Sequence, residues 1–522
     1  MPAASTTLFF ATLAGCLPAV MAAIGPVADL RVLNVNVNPD GFRRRAASAG
    51  GAVTGPLIVG NRNDNFRINV INELSDPSMW QTTSIHWHGF FQRGTSYSDG
   101  PAFITQCPIS KGHSFVYNWN AENQAGTFWY HSHLQAQYCD GLRGPLVVYN
   151  PQDPHRNLYD VDNEGTVITL ADWYHEASRP LLKDDPLPRF DSTLINGLGR
   201  WKDLKQKTPL SVINVEKGKR YRIRLVSISC DPNYVFQIDK HTELTIIEVD
   251  SVDHKPLVVD SIQIFAGQRY SFVLNANQPV NNYWIRANPE RGDKDFKNGI
   301  NSAILRYVGA PDRDPTTAQD RITKPLRERD LSPLSNEPAP GNPTPGGADV
   351  NIHLEFSRSG DKFFINGKSF ESPDIAVLLQ ILAGNRDALS LVPEGTVISL
   401  PRNKTIEISM DGGLSQGPHP IHLHGHTFHV VRSAGSSTYN YQNPVMRDVV
   451  NSGESNDRVT FRFVTDNPGP WILHCHIDWH LVGGFEMLFV EDLPGIPAAT
   501  QNPPEDWKQL CPIYHSQSAA DL

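Results

Sequence analysis

Residues 474 to 480 read His-Cys-His-Ile-Asp-Trp-His. In an extended segment successive side chains point to opposite faces, so His474 and His476 share one face and Cys475 takes the other. One strand therefore arms two metal sites at once. Three further runs carry the same residue types: His419-Pro-Ile-His422-Leu-His424-Gly, His86-Trp-His88-Gly and His131-Ser-His133. These ten histidines and one cysteine exceed what a single ion can use. A thiolate with two imidazoles, Cys475 with His419 and His480, is the ligand set of a trigonal blue-copper electron-transfer site. The other eight histidines form His-x-His pairs from two distant parts of the chain. That arrangement suits a multinuclear copper cluster held between two domains, and packing alone has no use for it.

An internal repeat sharpens the pattern. His86-x-His88-Gly is followed by Gly126-x-Phe128-x-x-His131-x-His133, and His422-x-His424-Gly by Gly469-x-Trp471-x-x-His474-x-His476. Overlaying the copies puts Thr83 at the place of His419, Ser132 at that of Cys475 and Gln137 at that of His480. The N-terminal copy thus keeps only the cluster half. The middle region has Tyr283-Trp-Ile-Arg-Ala at a comparable place without a histidine and reads as a metal-free copy.

The elements that position these residues are strands. Phe66–Val70, Tyr221–Leu225, Thr405–Ser409 and Val459–Phe463 alternate with period two. Charged residues make up 19% of the 522, with 39 glycines and 40 prolines. This composition suits a loop-rich all-β chain. The length gives a prior of about three domains. Residues 310–349 hold eight prolines and few apolar residues, an extended connection. Ile375–Leu382 is a dense apolar run expected to form a short buried helix. A formal net charge of −9 argues against nucleic acid or anionic membrane as partner.

The first 22 residues carry no charge, run apolar from Leu8 to Leu13 and end on small residues at Ala22. They read as a secretory leader cleaved near Ala22, with a retained anchor as the rival. Cys16 would leave with it. Taking Cys475 as a ligand leaves Cys107, Cys139, Cys230 and Cys511, enough for two disulfides with three possible connectivities. Asn403-Lys-Thr405 is a glycosylation sequon.

The histidine motifs resemble the multicopper oxidases. Gly89-Phe-Phe-Gln, Tyr138-Cys-Asp-Gly-Leu-Arg-Gly, Leu194-Ile-Asn-Gly and Val226-Ser-Ile-Ser-Cys narrow the resemblance to the secreted fungal laccases, over almost the whole chain after the leader. It implies three consecutive cupredoxin-like Greek-key β-sandwich domains, at residues 23–152, 153–310 and 350–522, with 311–349 as the connection. It implies a type 1 copper on His419, Cys475 and His480, a type 2 copper on His86 and His422, and a type 3 pair on His88, His131, His133, His424, His474 and His476. Disulfides Cys107–Cys511 and Cys139–Cys230 and secretion belong to the same implication, and a monomer is the default reading.

The resemblance also implies the reaction: one-electron oxidation of phenols and aryl amines with four-electron reduction of dioxygen to water; lignin fragments, pigment precursors and defence compounds stay open as alternative donors. Asp231 matches the position that accepts a phenol proton; its alternative is a loop carboxylate in an Asx turn before Pro232. Asp99 matches a proton relay near the cluster, and a turn residue is the alternative. Asp478 is expected to orient an imidazole. The axial position of the type 1 site falls on Phe485, which cannot coordinate and so raises the potential, while Met487 reads as core. Val482 stands where close relatives commonly carry an acid. Three rivals remain: a ferroxidase, for which Glu486 and Asp478 would be the carboxylates beside the type 1 site, an ascorbate-type oxidase, which typically carries an axial methionine, and a non-enzymatic copper electron carrier.

Overall fold

The computed structural model describes residues 22–184, 187–414, 417–500 and 502–518. Cys16 and the leader up to Met21 lie outside them. The chain forms three consecutive cupredoxin-like sandwiches built almost wholly of strands. The alternating runs named above fall in strands Asn65–Glu73, Arg220–Ser227, Thr405–Asp411 and Arg458–Val464. Only the first keeps a strict in-out burial pattern. Arg220–Ser227 is buried almost throughout, because its outer face is covered by a neighbouring sandwich.

Each sandwich contains one sheet of a shared design. In the N-terminal sheet Ile58–Asn61 runs parallel to Arg143–Tyr149, followed by antiparallel Gly126–Ser132 and Ile85–His88. In the C-terminal sheet Val397–Leu400 runs parallel to Glu486–Glu491, then come Gly469–Cys475, Pro420–Leu423 and Val449–Asn451. The middle sheet repeats this with Val212–Val215, Ser302–Tyr307, Asn282–Pro289, Tyr234–Ile238 and Ile262–Ile264. Between Tyr307 and Val350 the chain has no strand, only a single 3-10 turn at Glu328–Asp330 and isolated bridges such as His254 with Pro333.

The C-terminal sandwich is stitched onto the N-terminal one. The apolar run expected as a helix is helical at Val377–Leu382, with Val377, Leu378 and Ile381 buried. Its first amides donate to the carbonyls of Phe103 and Ile104 at 3.0 and 2.9 Å. Helix Glu505–His515 follows the same route: Trp507 Nε1 donates to the Thr105 carbonyl at 3.0 Å, and Cys511 is bonded to Cys107 across 404 residues. The second disulfide, Cys139–Cys230, joins the first sandwich to the middle one.

A buried carboxylate completes the joint between the first and middle sandwiches. Glu248, on middle strand Leu244–Val249, accepts from the Thr127 amide at 2.6 Å and Ser271 Oγ at 2.6 Å, and pairs with Arg222 and Arg224. Burial alone would raise its pKa, but the guanidiniums of Arg222 and Arg224 and the Ser271 hydroxyl bring it down to about 2. Its ion pairs therefore contribute fully above the ordinary carboxylate value of 4.5 and are lost as pH falls from there towards about 2. Glu248→Ala removes the carboxylate that Arg222 and Arg224 share, leaving them Asp153 and Asp162 as partners, and is expected to cost roughly 1–3 kcal/mol. Urea unfolding at pH 7 and pH 3 should show a large loss in the variant at pH 7 and a smaller difference between the two chains at pH 3.

Candidate metal centres

Strand Gly469–Cys475 is buried along its whole length, and so is Ile85–His88. A strand with both faces covered can present one face to its own core and the other to a neighbouring domain. His422 lies opposite His474 and Ile421 opposite Cys475; in the N-terminal sheet His86 lies opposite His131 and Ile85 opposite Ser132. The register is identical, so the two histidine-bearing faces are copies, and they meet. The ring of His86 stacks on His424 with centroids 4.0 Å apart, and that of His88 on His422 at 3.9 Å.

Hydrogen bonds at the outer edge decide which nitrogen each imidazole turns inward. Nδ1 of His86 donates to the Asp99 carbonyl at 2.7 Å, that of His131 to the Ser132 carbonyl at 2.8 Å, that of His422 to the Asp448 carbonyl at 2.8 Å and that of His474 to the Cys475 carbonyl at 2.9 Å. His424 Nδ1 donates to the Asp99 carboxylate at 2.8 Å. His88 is turned the other way, with Nε2 at 3.2 Å from the Asp448 carboxylate. The inner nitrogens are left as acceptors. Nε2 of His86, His131, His133 and His422 is buried with no hydrogen-bond partner among the described residues. His424 Nε2 faces His474 Nε2 at 3.2 Å. Since both rings donate outward through Nδ1, two lone pairs point at each other, an arrangement that repels unless a cation lies near both.

Burial first, and then the charges of neighbouring histidines, hold His88, His131, His133, His422, His424 and His476 well below the usual imidazole pKa; burial takes His474 to about 4. All are neutral at pH 7 and ready to ligate. Three-donor sets lie within ligating distance of one another at His133, His424 and His474, at His86, His88 and His131, and at His86, His422 and His424. His88 Nδ1 and His476 Nε2 are 3.2 Å apart. The donor set fits a multinuclear cluster of imidazole-loving ions.

The opposite face of the same strand carries the second site. Cys475 Sγ is 3.6 Å from His419 Nδ1 and 3.7 Å from His480 Nδ1, and those two nitrogens are 3.1 Å apart. All three residues are buried. Burial pushes the Cys475 thiol up and, with a smaller push from the Arg291 charge, takes His419 down to about 3. Proton loss from the thiol therefore awaits a cation. Phe485 is fully buried beside this triad, its ring 5.5 Å from His419 and stacked on Phe363, which lies 4.2 Å from His480. Met487 pairs with Leu473, one pleat further along, and sits in the core.

The N-terminal copy shows what replaces the triad. Gln137 Oε1 accepts from Thr83 Oγ1 at 2.7 Å and from Ser132 Oγ at 2.6 Å, while its amide nitrogen donates to the Thr82 carbonyl at 2.9 Å. The three residues that align with His419, Cys475 and His480 thus form a self-satisfied buried network.

The carboxylates divide into groups. Asp231 is buried; burial raises its pKa to about 7 despite Arg291 at 3.7 Å. Asp99 bridges the two halves of the cluster, with Oδ1 3.3 Å from His86 Nδ1 and Oδ2 on His424. Asp478 departs from expectation: its carboxylate lies 3.7 Å from the Cys139 sulfur, and among the described residues it holds no imidazole. Asp448, absent from every motif, does so instead. It binds His422 through its carbonyl and His88 through its carboxylate, as Asp99 binds His86 and His424. Repeat logic was the one available signal, because a carboxylate serving one half of a duplicated site has a counterpart in the other.

Glu486 lies opposite His474 in the ladder, on the cluster side of the strand. With His133, Trp479 and Val482 it lines a cavity of about 790 Å³ between the first and last sandwiches. Its side chain therefore points away from the Cys475 face of the strand.

Three family models described as multicopper oxidase match residues 31–153, 164–310 and 370–494. A laccase of Trametes hirsuta is 59% identical over 505 residues, 96% of each chain. Laccases of Phlebia radiata and Pycnoporus cinnabarinus are 57% and 58% identical, covering 97% and 96% of this chain and 98% and 96% of theirs. Among solved structures, the laccase of Botrytis aclada matches with a TM-score of 0.83 at 29% identity, over 96% of this chain and 93% of that one. A multicopper oxidase that functions in iron import matches at 0.82 and 25%, over 95% and 97%.

Replacing Cys475 by serine removes the soft donor and leaves the opposite face of the strand intact. The copper-loaded variant is expected to lose its intense visible absorption and keep the spin-resonance signal of copper held by the histidine cluster. A variant that stayed blue would refute the thiolate assignment.

Proposed function

Because the chain belongs to the multicopper oxidases and within them is a laccase, we propose that His419, Cys475 and His480 hold the type 1 copper, His86 and His422 the type 2 copper, and His88, His131, His133, His424, His474 and His476 the type 3 pair. When bound, the four coppers supply one-electron uptake from a phenolic donor at the type 1 site and four-electron reduction of dioxygen to water at the other three. The observation that carries this reading is the single strand with Cys475 on one face and His474 and His476 on the other. Peptide bonds join the cysteine to both histidines, and His474 Nδ1 also donates to the Cys475 carbonyl. The two sites are thereby held at a fixed, short separation along the backbone.

The remaining residues bind, orient and move protons. Asp231 accepts the proton that a phenol hydroxyl sheds as its electron leaves; a carboxylate buried to a pKa of about 7 is poised for that exchange near neutral pH. Asp99 serves proton delivery at the cluster, since its Oδ1 has no conventional hydrogen-bond partner beyond the close approach of His86. Phe485 carries no donor atom, so a copper held by His419, Cys475 and His480 would gain no further ligand from it, which would favour a high potential. The ferroxidase reading gains nothing from Glu486, which stands on the cluster side of the strand, and Asp478 directs its carboxylate at the Cys139 sulfur. Aryl amines join phenols as donors. Secretion follows from the leader and the cysteine pattern, with a monomer as the default state and Asn403, exposed in the turn before strand Thr405–Asp411, as the glycan acceptor.

Oxygen uptake by the copper-loaded chain should be fast with a dimethoxyphenol, consume four donor equivalents per dioxygen and leave no peroxide. Faster uptake with ferrous ion or ascorbate would overturn the phenol preference. Asp231→Asn is expected to lower kcat/KM for the phenol by about 10²-fold, with far less effect on a non-phenolic donor that has no proton to lose; equal losses on both would remove the proton-acceptor role.

A further inference from the structure

The middle sandwich offers no ligand, yet one of its turns stands against the cluster. Residues 265–268 connect strands Ile262–Ile264 and Arg269–Asn275. Gly267 adopts a φ of +83°, and a Cβ there would lie 2.9 Å from His476 Cδ2 and 3.1 Å from His88 Cε1. These two imidazoles come from opposite sandwiches, and their facing nitrogens are the pair 3.2 Å apart. Two residues on, Arg269 is completely buried. Its Nη1 and Nη2 grip the Asp448 carboxylate at 2.6 and 2.7 Å, Nη1 also reaches the Gly267 carbonyl at 3.2 Å, and Nε donates to the Thr127 carbonyl at 2.9 Å. One guanidinium therefore touches all three sandwiches.

We propose that Gly267 and Arg269 are positioning residues of the trinuclear site: the turn of the ligand-free sandwich sets the separation of His88 and His476 and decides which nitrogen His88 presents. The inference rests on the ligand assignment made above. A neutral imidazole carries one proton, and the Asp448 carboxylate at Nε2 claims it, so Nδ1 is left to face His476. The carboxylate can do this only while its plane is fixed, and a bidentate guanidinium fixes it in a way that an ammonium does not. Asp99 makes the equivalent contact to His424 without such a clamp among the described residues, so the middle sandwich is what distinguishes the two halves of the cluster. Gly267 acts by what it lacks: any side chain would push on the two imidazoles at once.

The test compares the wild-type chain with Arg269→Met, Arg269→Lys and Gly267→Ala after copper loading and dialysis against a competing chelator. Copper per chain, type 1 absorbance per chain and the spin-resonance spectrum are measured. The expected result is unchanged type 1 absorbance in all, cluster copper held at least tenfold more weakly in Arg269→Met and Gly267→Ala with an altered type 2 signal, and partial recovery in Arg269→Lys. Full copper and an unaltered type 2 signal in both Arg269→Met and Gly267→Ala would overturn the proposal. If Arg269→Met loses type 1 colour through misfolding, Gly267→Ala decides, since it removes no hydrogen bond; loss of type 1 colour in step with cluster copper in that variant would mark a general folding role and likewise overturn it. A wild-type chain that itself fails to hold four coppers would overturn the ligand assignment, an outcome distinct from full wild-type loading with intact variants.

Discussion

Eight imidazoles converging from two sandwiches, with ring nitrogens turned on one another, form an interaction the fold cannot satisfy from its own atoms. A buried acceptor without a donor costs on the order of 1–3 kcal/mol, and here at least four such nitrogens lie together, with two more facing each other at 3.2 Å. No rearrangement of tautomers removes the conflict, because the outward edges of His86, His131, His422, His424 and His474 are each committed to a carbonyl or carboxylate. The cluster is thus a cation site stabilised in advance by its periphery. Ligand binding and folding are coupled there.

That tension explains why the interfaces between sandwiches are so heavily built. Half of the imidazoles come from each end of the chain, so their mutual placement is only as good as the docking of the terminal sandwiches. Helices Val377–Leu382 and Glu505–His515 carry residues of the last sandwich into the first, and Cys107–Cys511 closes that joint covalently. The middle sandwich locks the remaining side through buried charges: Glu248 with Arg222 and Arg224 towards the first, Arg269 with Asp448 and Asp250 with Arg447 towards the last. Buried ion pairs of this kind add little net stability, but they fix geometry, and geometry is what a divided metal site requires.

The parts of this design that repeat in sequence were legible, and those that occur once were not. The His-x-His pairs, the alternation around Cys475 and the overlay of Thr83, Ser132 and Gln137 on the triad all follow from strand periodicity and duplication, and the structure brings each group together. The helix at Val377–Leu382 was readable as an apolar run. Asp448, Arg269 and Gly267 were not, because each acts through a contact with residues far away in sequence, and a single Asp, Arg or Gly in a strand or turn carries no local pattern. Asp478 failed for the converse reason. Its place between two ligands suggested an imidazole partner, but the helical turn at Asp478–Val482 ends the strand's alternation and directs the side chain at Cys139.

The degenerate triad in the first sandwich shows how much of the type 1 site belongs to the scaffold. Three buried positions, one at the end of a strand and two on the segments flanking it, converge in both copies. In one they are filled by a hydroxyl, a second hydroxyl and an amide whose donors and acceptors satisfy one another; in the other by two imidazoles and a thiol that leave their inward atoms 3.1 to 3.7 Å apart. Burial imposes the same demand on each, that every polar atom find a partner. The first answers it internally, at the cost of chemistry, and the second keeps a soft donor set that an ion can complete. Because the alternation of a single strand sets this triad back to back with the histidine cluster, keeping these residue types in the last sandwich alone is what the proposed coupling of a one-electron site to a dioxygen site requires.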